Sequence, residues 1–163
     1  MSCKNAIAIL NEKNIKGEVR FHQCKDENNA LVFFNLTGFK PNAIHAIHIH
    51  EYGDLSNGCT SLGAHLNLKD KNHGNLGDIT NSHTGDLINN IHADSKGNFK
   101  YSYVDPRLQI FGNINKSIIG CSIVIHKDMD DLGLGGNAES LKTGNAGERI
   151  ACSIIGKSKD GPL

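Results

Sequence analysis

The chain contains no tryptophan, carries no formal net charge and has no long apolar run. Lysine and arginine (17) balance aspartate and glutamate (17). A neutral composition lacks both the basic footprint of a nucleic-acid binder and a patch that draws protein to anionic lipid. Any electrostatic function is therefore local. No window approaches the ~18 uninterrupted apolar residues of a membrane helix. The first ten residues, MSCKNAIAIL, lack the basic segment, apolar stretch and cleavage site of a secretory leader. The expectation is a cytoplasmic protein with no membrane and no nucleic acid as partner. Helical periodicity, internal repeats and low-complexity tracts are also missing, which turns the search toward strands. At 163 residues the chain fits one domain over 1–163 and can bury roughly two thirds of the surface exposed on unfolding.

Glycine is frequent (18) and only 38% of residues are hydrophobic, as suits many turns and long structured loops. Period-two alternation or short β-rich runs occur near 4–10, 15–22, 30–37, 43–50, 87–93, 97–104, 118–126 and 148–155. Turn chemistry at 11–14, 26–29, 40–42 and 95–98 separates several of them. About eight strands and no long helix predict an all-β, antiparallel sandwich or barrel. Two connections, 51–85 and 127–147, are too long for simple turns, and loops of that length are usually functional or disordered.

The chain has nine histidines, and three fall within six positions of HAIHIH. In a strand, i and i+2 share a face, so His48 and His50 project together while His45 falls on the other side. The pair could bind one ion, or could sit in water on a half-exposed strand. His45 is expected to be a packed, hydrogen-bonded structural residue. His65, His73, His83 and Asp86 follow at loop spacing, and zinc accepts three nitrogens and a carboxylate oxygen. His126 ends the apolar run IIGCSIVIH and could complete a nitrogen-rich site with His48 and His50, a donor set that favours copper over magnesium or calcium. Singly, each histidine has an ordinary explanation at the surface or as a cap. Together, six histidines and an aspartate divided between two strands and a loop point to metal. The five cysteines, at 3, 24, 59, 121 and 152, form no dense framework, so free thiols are expected in a reducing compartment.

HIHEYGD, GCTSLGAH, the His73/His83/Asp86 series, IVIHKDMDDLG and GGNAESLKTGNAGERIAC resemble successive signatures of the copper/zinc superoxide dismutase family, over nearly the whole chain. The resemblance implies an eight-stranded Greek-key β-barrel with two functional loops, usually a homodimer. It implies dismutation of superoxide to oxygen and hydrogen peroxide by a copper redox cycle, with zinc structural. His48, His50, His65 and His126 resemble the copper ligands, and His65, His73, His83 and Asp86 the zinc ligands. His65 would bridge both as an imidazolate, breaking from copper and taking up a proton during turnover. Asp130, otherwise a solvated loop acid, resembles the carboxylate that accepts hydrogen bonds from one histidine of each set. Arg149, otherwise a surface residue, resembles the guanidinium that attracts superoxide beside copper.

The same resemblance implies a Cys59–Cys152 disulfide and leaves Cys3, Cys24 and Cys121 free. It suggests no role for His22 or His92. The His73–His83 interval is one residue longer than the family pattern, so a slight bulge is expected there. Ala46 replaces a common glycine, Asp128 and Leu134 stand where lysines are frequent, and Ala138 replaces an acid, while Glu139, Lys142 and Thr143 are retained. Weaker electrostatic steering of superoxide is expected. Tyr52, Gly53, Gly120 and Ile154 resemble an apolar homodimer interface, with Lys157 as an odd polar member. NAGERIAC lacks the prolines that accompany a strict need for a copper chaperone in some relatives, so chaperone-independent maturation is expected.

Overall fold

Alternating burial along the strands sets the architecture. In the computed structural model, which describes residues 2–112 and 116–161, β1 (Cys3–Glu12) buries Ala6, Ala8 and Leu10 while Ile9 stays exposed. Across from it, β2 (Ile15–Cys24) contributes Val19 and Phe21, and β3 (Ala30–Thr37) contributes Val32, Phe34 and Leu36. A two-residue turn at Lys13–Asn14 joins β1 to β2, with Lys13 at φ 47°. β4 (Ile44–His50), β5 (Ser56–Cys59), β6 (Asn90–His92), β7 (Phe99–Asp105), β8 (Ser122–His126), β9 (Arg149–Ile154) and β10 (Gly156–Ser158) follow. All eight expected strands are present. The two additions, β5 and β10, are short.

Every strand pairing is antiparallel, in a five-stranded sheet of order β10-β1-β2-β3-β7 and a four-stranded sheet of order β6-β4-β8-β9. The chain passes from β9 in one sheet to β10 beside β1 in the other through buried Ile155, which closes one side of the barrel. Between the sheets lies one large apolar cluster that includes Phe21, Phe34, Ile47, Ile49, Ile123 and Ile125. The helical elements are the turns Thr60–Leu62 and Leu76–Asp78 and the short α1 (Ser140–Thr143), all within the two long connections. These connections cover the outer face of the four-stranded sheet, leaving His48, His50 and His126 buried there. No helix among the described residues is long and apolar enough to cross a membrane.

The cysteines divide differently from expectation. Cys59 and Cys152 form a disulfide across 93 positions with Cα atoms 5.9 Å apart, tying the first long loop to β9. Cys121 is free and buried. Cys3 and Cys24 were expected free, yet they are paired, with Cα atoms 3.9 Å apart. The reason is register: the Lys13–Asn14 hairpin sets Glu12 opposite Ile15 and, nine residues back along each strand, Cys3 opposite Cys24. The backbone bond from the Lys25 N–H to the Ser2 carbonyl makes theirs a non-hydrogen-bonded pair, the kind that brings opposed side chains closest.

Candidate metal centre

β4 is buried on both faces. Ile47 and Ile49 enter the core, while His48 and His50 point to the outer face, where the long loops leave them 0% and 2% exposed. His126 at the end of β8 joins them, and the loop brings in His65, which bridges to His50. His50 Nε2 lies 3.3 Å from His126 Nε2, and the His48 and His65 rings are 4.0 Å apart. Backbone carbonyls take the remaining nitrogens: His50 Nδ1–H donates to Gly63 at 3.0 Å and His126 Nδ1–H to Gly147 at 3.2 Å. Each ring is thereby turned so that Nε2 faces inward. His48 reverses this, donating from Nε2 to Asp130 Oδ2 at 2.7 Å. His48 Nδ1 and His65 Nε2 are buried without any partner. Buried polar atoms are nearly always satisfied, so two orphaned lone pairs in one cluster fit a shared metal cation.

The other edge of His65 belongs to a second cluster. Its Nδ1 lies 3.1 Å from Asp86 Oδ1, and His73 Nδ1 and His83 Nδ1 lie 2.9 and 3.1 Å from the same oxygen. His65 and His83 Nδ1 are 3.4 Å apart. Four donors held about 2.0–2.2 Å from a tetrahedral zinc would stand about 3.3 Å from one another, so this N₃O set fits that ion. Asp86 Oδ2 accepts the backbone N–H groups of Gly74 and His83, at 3.1 and 2.8 Å, which fixes the carboxylate. Between His73 and His83 the chain makes the turn Leu76–Asp78, where Asp78 accepts from Thr80 and Asn81.

Asp130 ties the clusters together. Its Oδ2 accepts from His48 at 2.7 Å and its Oδ1 from His73 at 2.8 Å. Sequence reasoning missed the residues that hold Asp130. Asn89, at φ 62°, donates to Asp130 Oδ2 and to the Gly74 carbonyl, while Asn90 exchanges two bonds with the Asp130 backbone. The Asn-Asn doublet was visible in the sequence, but only the fold shows what it faces. Arg107 was also missed. Buried and paired with Asp105, it donates to Ser82 Oγ and to the carbonyls of His83 and Leu87, pinning the histidine loop to the barrel. His45 packs on Phe39 and donates from Nδ1 to the His126 carbonyl at 2.9 Å, the structural role expected of it. Ala46 is fully buried, while His92 is exposed at the end of β6.

Without metal, burial holds His48 and His126 down at about pKa 4 and His65 at about 3, and pushes His50 lower still. At neutral pH these rings are uncharged, with lone pairs free to ligate. His73 differs: burial works against its charge, but Asp130 and Asp86 raise it to about 9. Burial also opposes ionisation of Asp86 and Asp130, yet their histidine partners hold both well below the usual carboxylate range. Arg149 reaches the same region from the start of β9, donating from Nη1 to the Cys59 carbonyl at 2.7 Å and from Nη2 to Gly63 at 2.6 Å. It lines an open cleft of about 780 Å³ together with His65, His126, Lys71, Lys142 and Glu139.

Fold and site together define a β-barrel protein with two adjoining side-chain clusters that share His65 and could each hold a metal ion. Its relatives narrow this further. The family model described as copper/zinc superoxide dismutase matches residues 15–155. The chain is 49% identical over 156 residues to a Cu-Zn superoxide dismutase of Paramecium bursaria Chlorella virus 1, covering 96% of this chain and 80% of that one. It is 45% identical to the Cu-Zn superoxide dismutase of Kluyveromyces lactis, covering 94% and 97%. A crystal structure of the clock protein EA4 superposes with TM-score 0.86 at 39% identity, covering 93% of each chain. The chain belongs to the copper/zinc superoxide dismutase family.

Proposed function

We propose that the chain, acting as one domain, dismutates superoxide to oxygen and hydrogen peroxide, with copper held by His48, His50, His65 and His126 and zinc by His65, His73, His83 and Asp86. The observation that carries the assignment is His65, whose Nδ1 lies in the carboxylate-containing cluster while its partnerless Nε2 lies among the other histidines. Bound copper supplies a one-electron couple that superoxide can reduce and reoxidise, and bound zinc supplies fixed positive charge without redox chemistry. The protein provides the rest. Arg149, locked by two carbonyls, presents a guanidinium to an incoming anion at the cleft. His65 Nε2 takes up and hands on a proton inside the cleft, while the Asp86 side holds its other edge. Asp130 keeps His48 and His73 in orientation.

Arg149→Lys tests the docking role. It keeps the charge but loses the fork, and second-order dismutation should fall by roughly tenfold, within the range that local electrostatics command. An unchanged rate would remove Arg149 from the mechanism.

The proposal includes a homodimer through the Tyr52/Gly53/Gly120/Ile154 patch. Tyr52 and Ile154 are exposed at 55% and 39%, and Gly53 packs against the Gly120 carbonyl, so one surface gathers all four. Exposed Lys157 lies nearby in sequence. Sedimentation should give twice the 17.6 kDa chain mass, and a species of chain mass alone would refute it. Copper-chaperone-independent maturation rests on the proline-free NAGERIAC segment, and active enzyme from chaperone-deficient cells supplied with copper would bear it out. Cytoplasmic residence is tested by cell fractionation.

A further inference from the structure

On the sheet that does not carry the metal centre, Cys3, His22 and Cys24 place two sulfurs and an imidazole nitrogen within 4.8 Å of one another. Cys3 and Cys24 face each other across β1 and β2, and His22 shares a face with Cys24 two residues earlier. His22 Nε2 lies 3.6 Å from Cys24 Sγ, and His22 Nδ1 lies 2.7 Å from the side-chain amide of Asn5. We propose that this triad, with its disulfide opened, is a third metal site that binds one monovalent copper ion through two thiolates and the His22 imidazole.

With the disulfide open, the His22–Cys24 pair is spaced to share a cation. Sulfur about 2.3 Å and nitrogen about 2.0–2.1 Å from one metal stand about 3.6 Å apart at the tetrahedral angle and slightly more in a trigonal plane. The His22–Cys24 separation already has that value. No fourth donor from the described residues joins the set. Three donors, two of them soft sulfurs, suit Cu(I), which accepts trigonal coordination. Asn5 supplies the orientation. With its oxygen toward the ring it accepts from Nδ1–H and leaves the Nε2 lone pair aimed at the sulfur. With the amide reversed, its nitrogen donates to Nδ1 and its oxygen accepts from Gly161 N–H at 3.3 Å, so the proton sits on Nε2. Metal binding would displace the proton from Nε2.

The charges also match. Two thiolates, a neutral imidazole and Cu(I) sum to one negative charge. A cleft of about 440 Å³ lined by Cys3 also carries Lys4, Lys157 and Lys159, which, against the Glu27 carboxylate that accepts from the Cys24 N–H at 3.1 Å, offset that charge and admit a small anionic thiol. Two such thiols donate two electrons and two protons to the Cys3–Cys24 bond and leave as their own disulfide. The two cysteine thiols then release two protons as Cu(I) binds. Reoxidation to the disulfide removes the donors, so occupancy follows the thiol state.

The test uses holoenzyme with its copper and zinc retained, reduced with a phosphine until Cys3 and Cys24 titrate as free thiols while Cys59–Cys152 stays closed. Cu(I) alone is then added without oxygen, in competition with a coloured Cu(I) chelator. One additional Cu(I) per chain is expected, with sulfur-to-copper charge-transfer absorption, and none in the unreduced enzyme. Cys3→Ser and Cys24→Ser should each abolish it, and His22→Ala should weaken it by at least about tenfold, the scale on which single metal-site groups act. Dismutation should stay unchanged in all three variants, which verifies folding. The proposal is overturned if reduced enzyme takes up no further Cu(I), if a serine variant retains it, or if His22→Ala binds as tightly as the parent.

Discussion

Asp86 and Asp130 organise the buried histidines, and in each both carboxylate oxygens are engaged. Asp86 gathers three ring nitrogens on Oδ1, while Asp130 joins His48 to His73. Asp130→Asn keeps the shape but replaces one accepting oxygen with a donor that faces an N–H, so one histidine must turn. Affinity for metal should fall by about 10–100-fold, the usual cost of losing such a partner, as read from metal retained after dialysis against a chelator. The histidines also set how the metal-free protein responds to pH. His48, His65 and His126 have folded pKa values lowered from 6.5 to about 4, 3 and 4, so their contribution is present above pH 6.5 and is lost as pH falls through those values. His73, raised to about 9, contributes fully below 6.5 and loses that contribution as pH rises toward 9. Urea midpoints of the metal-free protein should therefore peak near neutrality, falling steeply on the acid side and gently on the alkaline side. A midpoint that rises on acidification below pH 6.5 would contradict the assignment. At this scale the grouping of the histidines was legible in the sequence, since strand parity sets His48 and His50 on one face and the family motifs mark the rest, and the fold does bring those side chains into two adjoining clusters. Asn89 and Arg107 were not, since their partners lie 41 and 24 positions away and only packing brings them together.

Among the elements, β4 explains why an apolar strand carries histidines. The core claims one face, and the loops that follow bury the other. Two devices hold those loops at the centre. Gly144, at φ 65°, ends α1 against the centre, and a methyl there would press on Asp130 Oδ1 and stand 2.6 Å from His73 Nε2. The Cys59–Cys152 bond anchors the first loop, whose Cys59 carbonyl receives Arg149. Cys59→Ser should cost about 2–5 kcal/mol of stability in chemical denaturation, and it should slow dismutation because Arg149 loses a fixed acceptor. Equal stability in parent and variant would show that the loop is held without the bond. The Cys3–Cys24 pairing was within reach of the sequence. Strand limits drawn at 4–10 and 15–22 stopped short of both cysteines, whereas the Lys13–Asn14 turn, extended along both strands, sets them opposite each other. β5 and β10 were missed for another reason: three or four residues carry too little alternation to register.

For the whole molecule, a balanced net charge leaves the capture of a small anion to the cleft alone. Lys71, Lys142 and Arg149 line it with Glu139 as the opposing acid, while Leu134 is 77% exposed and Asp128 lies on the surface of the second long loop, where lysines would add to the field. Capture should therefore fall less steeply with ionic strength than in a lysine-rich relative, measured as the slope of the second-order rate constant against salt. An equally steep slope would show that the remaining cations suffice. The central claim is that His65 joins a redox site to a structural one in a single working enzyme. Metal content and superoxide consumption measured on the same preparation test it most directly. The account predicts one copper and one zinc per chain together with rapid dismutation, and it would be contradicted by a fully metallated protein that leaves superoxide untouched.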